Sequence, residues 1–302
     1  MMEKPIVANP GQIAEMKETI RKAPLPRYAI DWQIPHVFPL LLAAFQGDNI
    51  RPPFSDGIIS EENRDGISRL DLTKAFRISA SFVEDGINPL AVLKGREWMS
   101  SYLEGGGSFN DQGIHFMNAL AAMGFQQTGI KYVELGRPLK GQQGLYRTFG
   151  KEAGTLGELY GYAETLMEVA GGQQEIEAQL ECGKFGYTND GKIVIEQTDG
   201  ITASWEMFPE AGGSSLIVTD ATGEQLARLV QPSDCYALGF EEAAQYFNLW
   251  RQDPSQEPVA YYAHEQLKGM EAVCDIHEHA RSKEKSSTTV KQKALERLEL
   301  AL

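Results

Sequence analysis

The chain has little cysteine, no long apolar run and no concentration of basic residues. Three cysteines in 302 residues (Cys182, Cys235 and Cys274) are too few and too scattered for a disulfide framework, and their number is odd. That usage fits a reducing compartment and predicts a cytoplasmic protein. The start, Met1-Met2-Glu3-Lys4-Pro5, lacks a basic region followed by an apolar stretch, so it does not read as a secretory signal. The longest strongly apolar stretch, Val37 to Phe45, contains Pro39 and is less than half of a membrane span, which argues against a membrane protein. A sequence pI near 4.9 and the lack of a basic stripe argue against direct nucleic-acid binding.

What is present is acid, and it is concentrated. Residues 1–150 carry 16 Lys and Arg against 16 Asp and Glu, and residues 261–302 carry 7 against 7. Residues 151–260 carry 5 against 19, so the whole formal charge of −14 sits there. A single-sign field on one part of a surface attracts basic partners and repels nucleic acid and anionic membrane. With 42% hydrophobic and 23% charged residues, the chain is otherwise composed like an ordinary folded protein and is long enough to bury a core without crosslinks.

Periodicity divides the chain into a mainly helical region (1–150), an acidic α+β region (151–281) and a polar tether with a terminal helix (282–302). Asn9-Pro10-Gly11-Gln12 caps and opens a helix continued by Ile13, Met16 and Ile20. Leu72, Ala75, Phe76, Ser79, Phe82 and Val83 outline another, although Ile78, Ala80 and Phe82 alternate as a strand would. Asn110 or Asp111 can cap a helix through Phe116, Leu120 and Met123. A strand-like run covers Ile130 to Leu135. Leu156, Leu159, Tyr160, Ala163, Leu166, Met167 and Ala170 make the apolar stripe of a helix over 153–170, with Glu158, Glu164 and Glu168 on its outward face. Further helical turns run through Ile176 and Leu180.

The period then changes from 3.6 to 2. Residues 192–197 and 201–207 flank Thr198-Asp199-Gly200, a strong hairpin signal. Further strands over 185–188, 216–218 and 226–230 complete a four- or five-stranded antiparallel meander packed with helices. Residues 259–281 read as a helix, and Leu295, Leu298 and Leu302 mark a short amphipathic terminal helix that must dock on something. The fold class expected is α+β, with a helical N-terminal half, the meander and the amphipathic C-terminal helix.

No catalytic motif stands out. Gly136-Arg137-Pro138-Leu139-Lys140-Gly141-Gln142-Gln143 has the first spacing of a P-loop, but Gln142 and Gln143 stand where Lys and Ser or Thr must be. Arg137, Lys140, Arg147 and Lys151 remain as candidates for holding a phosphate or acidic group. Cys274-Asp275-Ile276-His277-Glu278-His279 resembles a ligand cluster, yet on one helix His277 and His279 point about 200° apart. His277 falls instead on an apolar stripe with Ala263, Leu267, Met270 and Cys274. His36 and His115 lie in apolar settings and read as buried histidines. No metal and no cofactor is expected. The sequence reading is a non-enzymatic interaction or structural protein, binding a basic protein partner or a second copy through Glu158, Glu164 and Glu168 and docking by Leu295, Leu298 and Leu302. The alternatives are an enzyme with a cleft between the helical half and the meander, drawing on Arg137, Lys140, His115 and acids of 151–260, and an acidic mimic of nucleic acid.

Overall fold

Ile78, Ala80 and Phe82 alternate with Arg77, Ser79 and Ser81, and this period of two builds the strand at the centre of the molecule. The computed structural model describes residues 2–3, 10–22, 29–30, 61–85, 107–136, 160–186, 190–208, 213–231, 244, 247–248, 251–252 and 261–284. Strands β1 (Met2–Glu3) and β2 (Ala29–Ile30) pair in parallel across helix α1 (Pro10–Lys22), which starts where Asn9-Pro10 predicts. Helix α2 (Glu61–Ser68) precedes β3 (Ala75–Asp85). A π-helical turn (Phe109–Gly113) runs directly into α3 (Ile114–Ala122). Seven strands come next: β4 (Phe125–Gly136), β5 (Tyr160–Val169), β6 (Ile176–Gly186), β7 (Asp190–Gln197), β8 (Thr202–Phe208), β9 (Gly213–Thr219) and β10 (Gln225–Gln231). Helix α4 (Tyr261–Glu284) is last among the described elements.

Eight strands form one mixed sheet in the order β10-β9-β8-β7-β3-β6-β5-β4. Every neighbouring pair is antiparallel except β3 and β6 at the centre, which run parallel. The expected fold class is therefore corrected. The region before residue 150 is not a helical half, because β3 and β4 lie within it, and the meander β7 to β10 is one side of a larger sheet. Three segments expected as helix are strands: 72–83 in large part, 153–170 from residue 160, and the turns through Ile176 and Leu180. The physical reason is apolar content on both sides of a strand: Val83 of β3 and Tyr162 and Leu166 of β5 lie half-buried on the face opposite the core residues, so three- and four-residue spacings arise without a helix.

One sheet face packs against α3 and α4. Ile78, Phe82, Ala163, Met167, Leu180 and Cys182 point that way and are buried, together with Phe116, Leu120, Met270 and Val273 from the helices. On the other face, alternation places Glu164 and Glu168 of β5 beside Glu177 and Glu181 of β6, Glu196 of β7 and Glu206 of β8. Cations stand among these acids: Lys131 meets Glu177 at 2.6 Å, Lys192 meets Glu206 at 2.7 Å and Arg77 meets Glu196 at 3.4 Å. Glu164 and Glu168 are thus on a strand rather than a helix, while Glu158 lies outside the described residues.

The two ends of the sheet differ. At one end the connections are short: 123–124, 170–175, 198–201 and 220–224. There the β7–β8 turn is tied to the start of β3, with the Thr198 N–H donating to the Lys74 carbonyl at 3.0 Å and the Lys74 ammonium 3.0 Å from the Asp199 carboxylate. At the other end the chain leaves β3, β4, β6 and β8 into 86–106, 137–159, 187–189 and 209–212, all outside the described residues. The edge strand β10 is shielded by α2, whose Asn63 Oδ1 accepts the Arg228 N–H at 2.9 Å. Among the described residues no helix is long and apolar enough to cross a membrane.

The β9–β10 turn is organised by one carboxylate. Asp220 Oδ1 accepts the Thr222 hydroxyl at 2.7 Å, the Thr222 N–H at 2.8 Å and the Glu224 N–H at 3.0 Å. These donors, the Thr222 hydroxyl first, hold the Asp220 carboxyl below its ordinary value. A carboxyl lowered by folding contributes stability above its unfolded value and loses it as pH falls through the folded one. Asp220→Ala should therefore be less stable than the parent at neutral pH, and the gap in urea midpoint should close in acid. A gap independent of pH would refute this role for the carboxylate.

Candidate active site

Between Gly107 and Asn118 the sequence interleaves Ser108, Asn110, Asp111, Gln112, His115 and Asn118 with Phe109, Ile114, Phe116 and Met117. All six polar residues are buried. Removing so many polar groups from water is costly unless each is hydrogen-bonded, so a stretch of this composition in a core needs a reason beyond packing. The expectation that Asn110 or Asp111 caps the helix is corrected: both lie inside the π turn, because the helical winding begins already at Ser108. Gly107 makes that start possible with φ of 109°, a left-handed backbone that favours glycine. π turns are uncommon and concentrate at functional sites.

Phe109 seats the turn on the sheet. Its ring is fully buried, 6.4 Å from the Phe116 ring and 6.2 Å from His277 of α4, edge-on to both. A Cβ on Gly161 of β5 would stand 2.5 Å from that ring, and one on Gly113 would stand 2.7 Å from it. Only glycine fits at these two positions. The ring is thus clamped between its own helix, β5 and α4.

The clamp sets the orientation of the helix beyond it. Asp111 and His115 are four residues apart and share one side of the helix. At 7% and 6% exposure they are the only two of the six polar residues above 1%. The His115 ring lies 5.0 Å from that of Phe82, near the end of β3 where the chain enters 86–106. Gln112 donates its side-chain N–H to Asp111 Oδ2 at 2.8 Å. The pair therefore sits at the end of the sheet where β3, β4, β6 and β8 finish, away from the short turns.

Arg137, Lys140, Arg147 and Lys151 lie outside the described residues, as do Leu295, Leu298 and Leu302. The chain does leave β4 at Gly136 toward the same end as the Asp111–His115 pair. His277 is buried where the apolar stripe of α4 places it. Cys182 and Cys274 are buried thiols outside any disulfide. Among the described residues no three His, Cys, Asp or Glu gather as a metal site.

A cavity of about 460 Å³ opens elsewhere, between α1, α4 and the start of β4, at the short-connection end. Asp275 and Glu278 stand on its wall, and Glu271 pairs with Lys17 of α1. Burial, then Glu278 and Glu271, push the Asp275 carboxyl above its ordinary value. This cavity contains neither Asp111 nor His115, so size and chemistry point to different places. The cavity wall carries carboxylates and no histidine.

Asp111 and His115 are not evident as a pair from sequence alone. The signal available is an acid and a histidine at helical spacing inside a polar run flanked by Phe109 and Phe116, a composition unsuited to a plain core helix.

No family model and no curated protein sequence matches the chain. Solved structures do. The UDP-N-acetylglucosamine 3-dehydrogenase GnnA from Acidithiobacillus ferrooxidans matches with a TM-score of 0.56 at 12% identity, covering 91% of this chain and 68% of that one. A levoglucosan dehydrogenase in complex with NADH and levoglucosan matches with a TM-score of 0.54 at 14% identity, covering 93% and 71%. A super-repressor mutant of Gal80p from Saccharomyces cerevisiae matches with a TM-score of 0.58 at 9% identity, covering 97% and 72%. At these identities the likeness shows the fold alone, one shared by proteins named as dehydrogenases and by Gal80p.

The clamp on Phe109 yields a direct test. Gly161→Ala forces a methyl into the ring and should cost about 1–3 kcal/mol as an overpacked core does, read as a lower urea midpoint. An unchanged midpoint would mean that Phe109 is not wedged against β5.

Proposed function

We propose that the chain is an oxidoreductase acting on a hydroxyl group of a cyclic polyol or sugar, with Asp111 and His115 as the proton-handling pair. The observation that carries the reading is that pair: a buried acid and histidine on one side of a π-to-α helix, at the end of the sheet where β3 and β6 finish. The fold alone does not decide the activity, since it is shared by dehydrogenases and by Gal80p. The non-enzymatic interaction protein expected from the sequence gives way to its enzyme alternative, because the matched dehydrogenases cover nine-tenths of the chain. The acidic mimic goes with it, since the acids of the sheet are interleaved with Lys131, Lys192 and Arg77.

Oxidising an alcohol passes a hydride from carbon to a separate oxidised two-electron acceptor and a proton from oxygen to a base; the residues of this chain account for the proton. His115 is placed to take the proton, and Asp111 to orient the imidazole or accept a neighbouring ring hydroxyl. The neighbouring structures are named for UDP-N-acetylglucosamine, scyllo-inositol and levoglucosan, each a ring bearing several hydroxyls. Paired polar groups suit such substrates, because a site built to hydrogen-bond a hydroxyl rejects analogues that lack it.

Two neighbours of this fold are complexes with NADH. The residues of this chain do not fit its pyrophosphate. The stretch joining β1 to α1 reads Lys4-Pro5-Ile6-Val7-Ala8-Asn9, without the glycines that let a backbone approach two phosphates, and no Gly-x-Gly-x-x-Gly occurs in the 302 residues. The chemistry assigned to this chain is accordingly the substrate side, binding the alcohol and moving its proton. Scattered thiols at Cys182 and Cys274, outside any disulfide, accord with a cytoplasmic setting.

Binding is the sharpest test. Thermal unfolding with scyllo-inositol, levoglucosan or UDP-N-acetylglucosamine should show a midpoint rising with concentration for at least one, as any ligand of the folded state requires. Asp111→Asn and His115→Gln should abolish the rise while keeping the unliganded midpoint within a few degrees. If none of the three compounds moves the midpoint, or if both variants respond as the parent does, the proposal fails.

A further inference from the structure

Gln112 is wholly buried and holds the Asp111 carboxylate. Its exposure is 0%, and its Nε2 lies 2.8 Å from Asp111 Oδ2. Consecutive residues on an α-helix diverge by about 100° and do not face each other. The bond nevertheless joins adjacent positions, both within the π turn. An apolar side chain of the same length would fill the position without the desolvation cost of an amide. The packing need is therefore met by methionine or leucine, and what glutamine adds is the donor.

We propose that Gln112 is a positioning residue, whose amide donates to Asp111 Oδ2 and so fixes the orientation of the Asp111 carboxylate toward the substrate. The inference rests on the reading of Asp111 and His115 as the substrate-handling pair. A carboxylate held by one oxygen loses its rotational freedom before substrate arrives, and geometry fixed to within about 0.5 Å separates an effective site from a loose one. The elements around the turn bring three other titratable groups near: His115 on α3, His277 against Phe109, and Cys182, whose Sγ is 3.3 Å from where a Cβ on Gly113 would lie.

The test compares Gln112→Met, Gln112→Glu and Asp111→Asn in the full chain. Affinity for scyllo-inositol, levoglucosan and UDP-N-acetylglucosamine is measured by calorimetry across a range of pH. Gln112→Met keeps the volume and removes the donor, so affinity should fall about 10-fold or more, the scale of a disturbed hydrogen bond to a charged group. Gln112→Glu sets a second carboxylate against Asp111, and the pH below which binding is lost should move up by about one unit or more. A residue that only fills space would leave that pH where it is in the parent. If Asp111→Asn loses binding while Gln112→Met keeps the parent affinity and Gln112→Glu the parent pH profile, the role of Gln112 is refuted and the pair stands. If Asp111→Asn binds as the parent does, the underlying reading falls and the role of Gln112 falls with it. Should Gln112→Met lower the unfolding midpoint, the pH profile of Gln112→Glu decides.

Discussion

The ring of Phe109 is the contact on which the rest of the site depends. Gly161 on β5 and Gly113 on its own helix leave room for it, and Phe116 and His277 meet it edge-on. This arrangement joins three elements far apart in sequence and fixes the rotation of the π turn about its axis. Asp111 and Gln112 are close behind it in the chain, and His115 is one turn further on. A side chain that sets helix rotation sets which residues face the sheet end and which face the core.

The sheet explains why the site is where it is. At one end the connections are short, and the β7–β8 and β9–β10 turns are pinned by Asp199 and Asp220. At the other end the parallel strands β3 and β6 both finish, beside the start of the π turn. Parallel neighbours cannot be joined by a tight turn, so the chain must make long excursions. Here the excursion from β3 to β6 contains α3, β4 and β5. The single parallel pair in an otherwise antiparallel sheet is what brings a helix start, with its polar residues, to the centre of the sheet rather than its edge. Proteins named as dehydrogenases and Gal80p share the fold, so the fold by itself does not assign an activity.

How much of this is legible in the sequence depends on how local each cause is. The β7–β8 turn is readable because Asp199-Gly200 and the alternation around it act within a dozen residues. Helix α4 is readable because Leu267, Met270, Cys274 and His277 all face one core. The strand β5 is not. Ala163, Met167 and Val169 line one face while Tyr162 and Leu166 are half-buried on the other, and this two-sided apolar content imitates a helical stripe. Glu164 and Glu168, four apart, share a side on a helix and on a strand alike, so they cannot arbitrate. The β3–β6 pairing joins residues about a hundred positions apart, beyond any local pattern. The Asp111–His115 pair is hidden for a different reason. A lone histidine in an apolar setting is usually a packed one, and only the burial of its polar neighbours gives it another meaning.

The charge of −14 has a structural origin that bears on function only indirectly. Residues 160–231 supply six of the eight strands of the sheet. Each presents alternate residues to the face away from α3 and α4, and such a face must be polar to remain wetted. Acids at Glu164, Glu177, Glu196 and Glu206 serve that need, and three of these four pair with a cation on a neighbouring or next-but-one strand. The turns take Asp199 and Asp220 because a short carboxylate can accept several backbone N–H groups at once. A sheet built this way gathers acid in one stretch of sequence without any partner demanding it. Among the described residues the concentration of acid therefore follows strand order and turn chemistry, whereas the buried polar residues of the π turn contribute almost nothing to net charge.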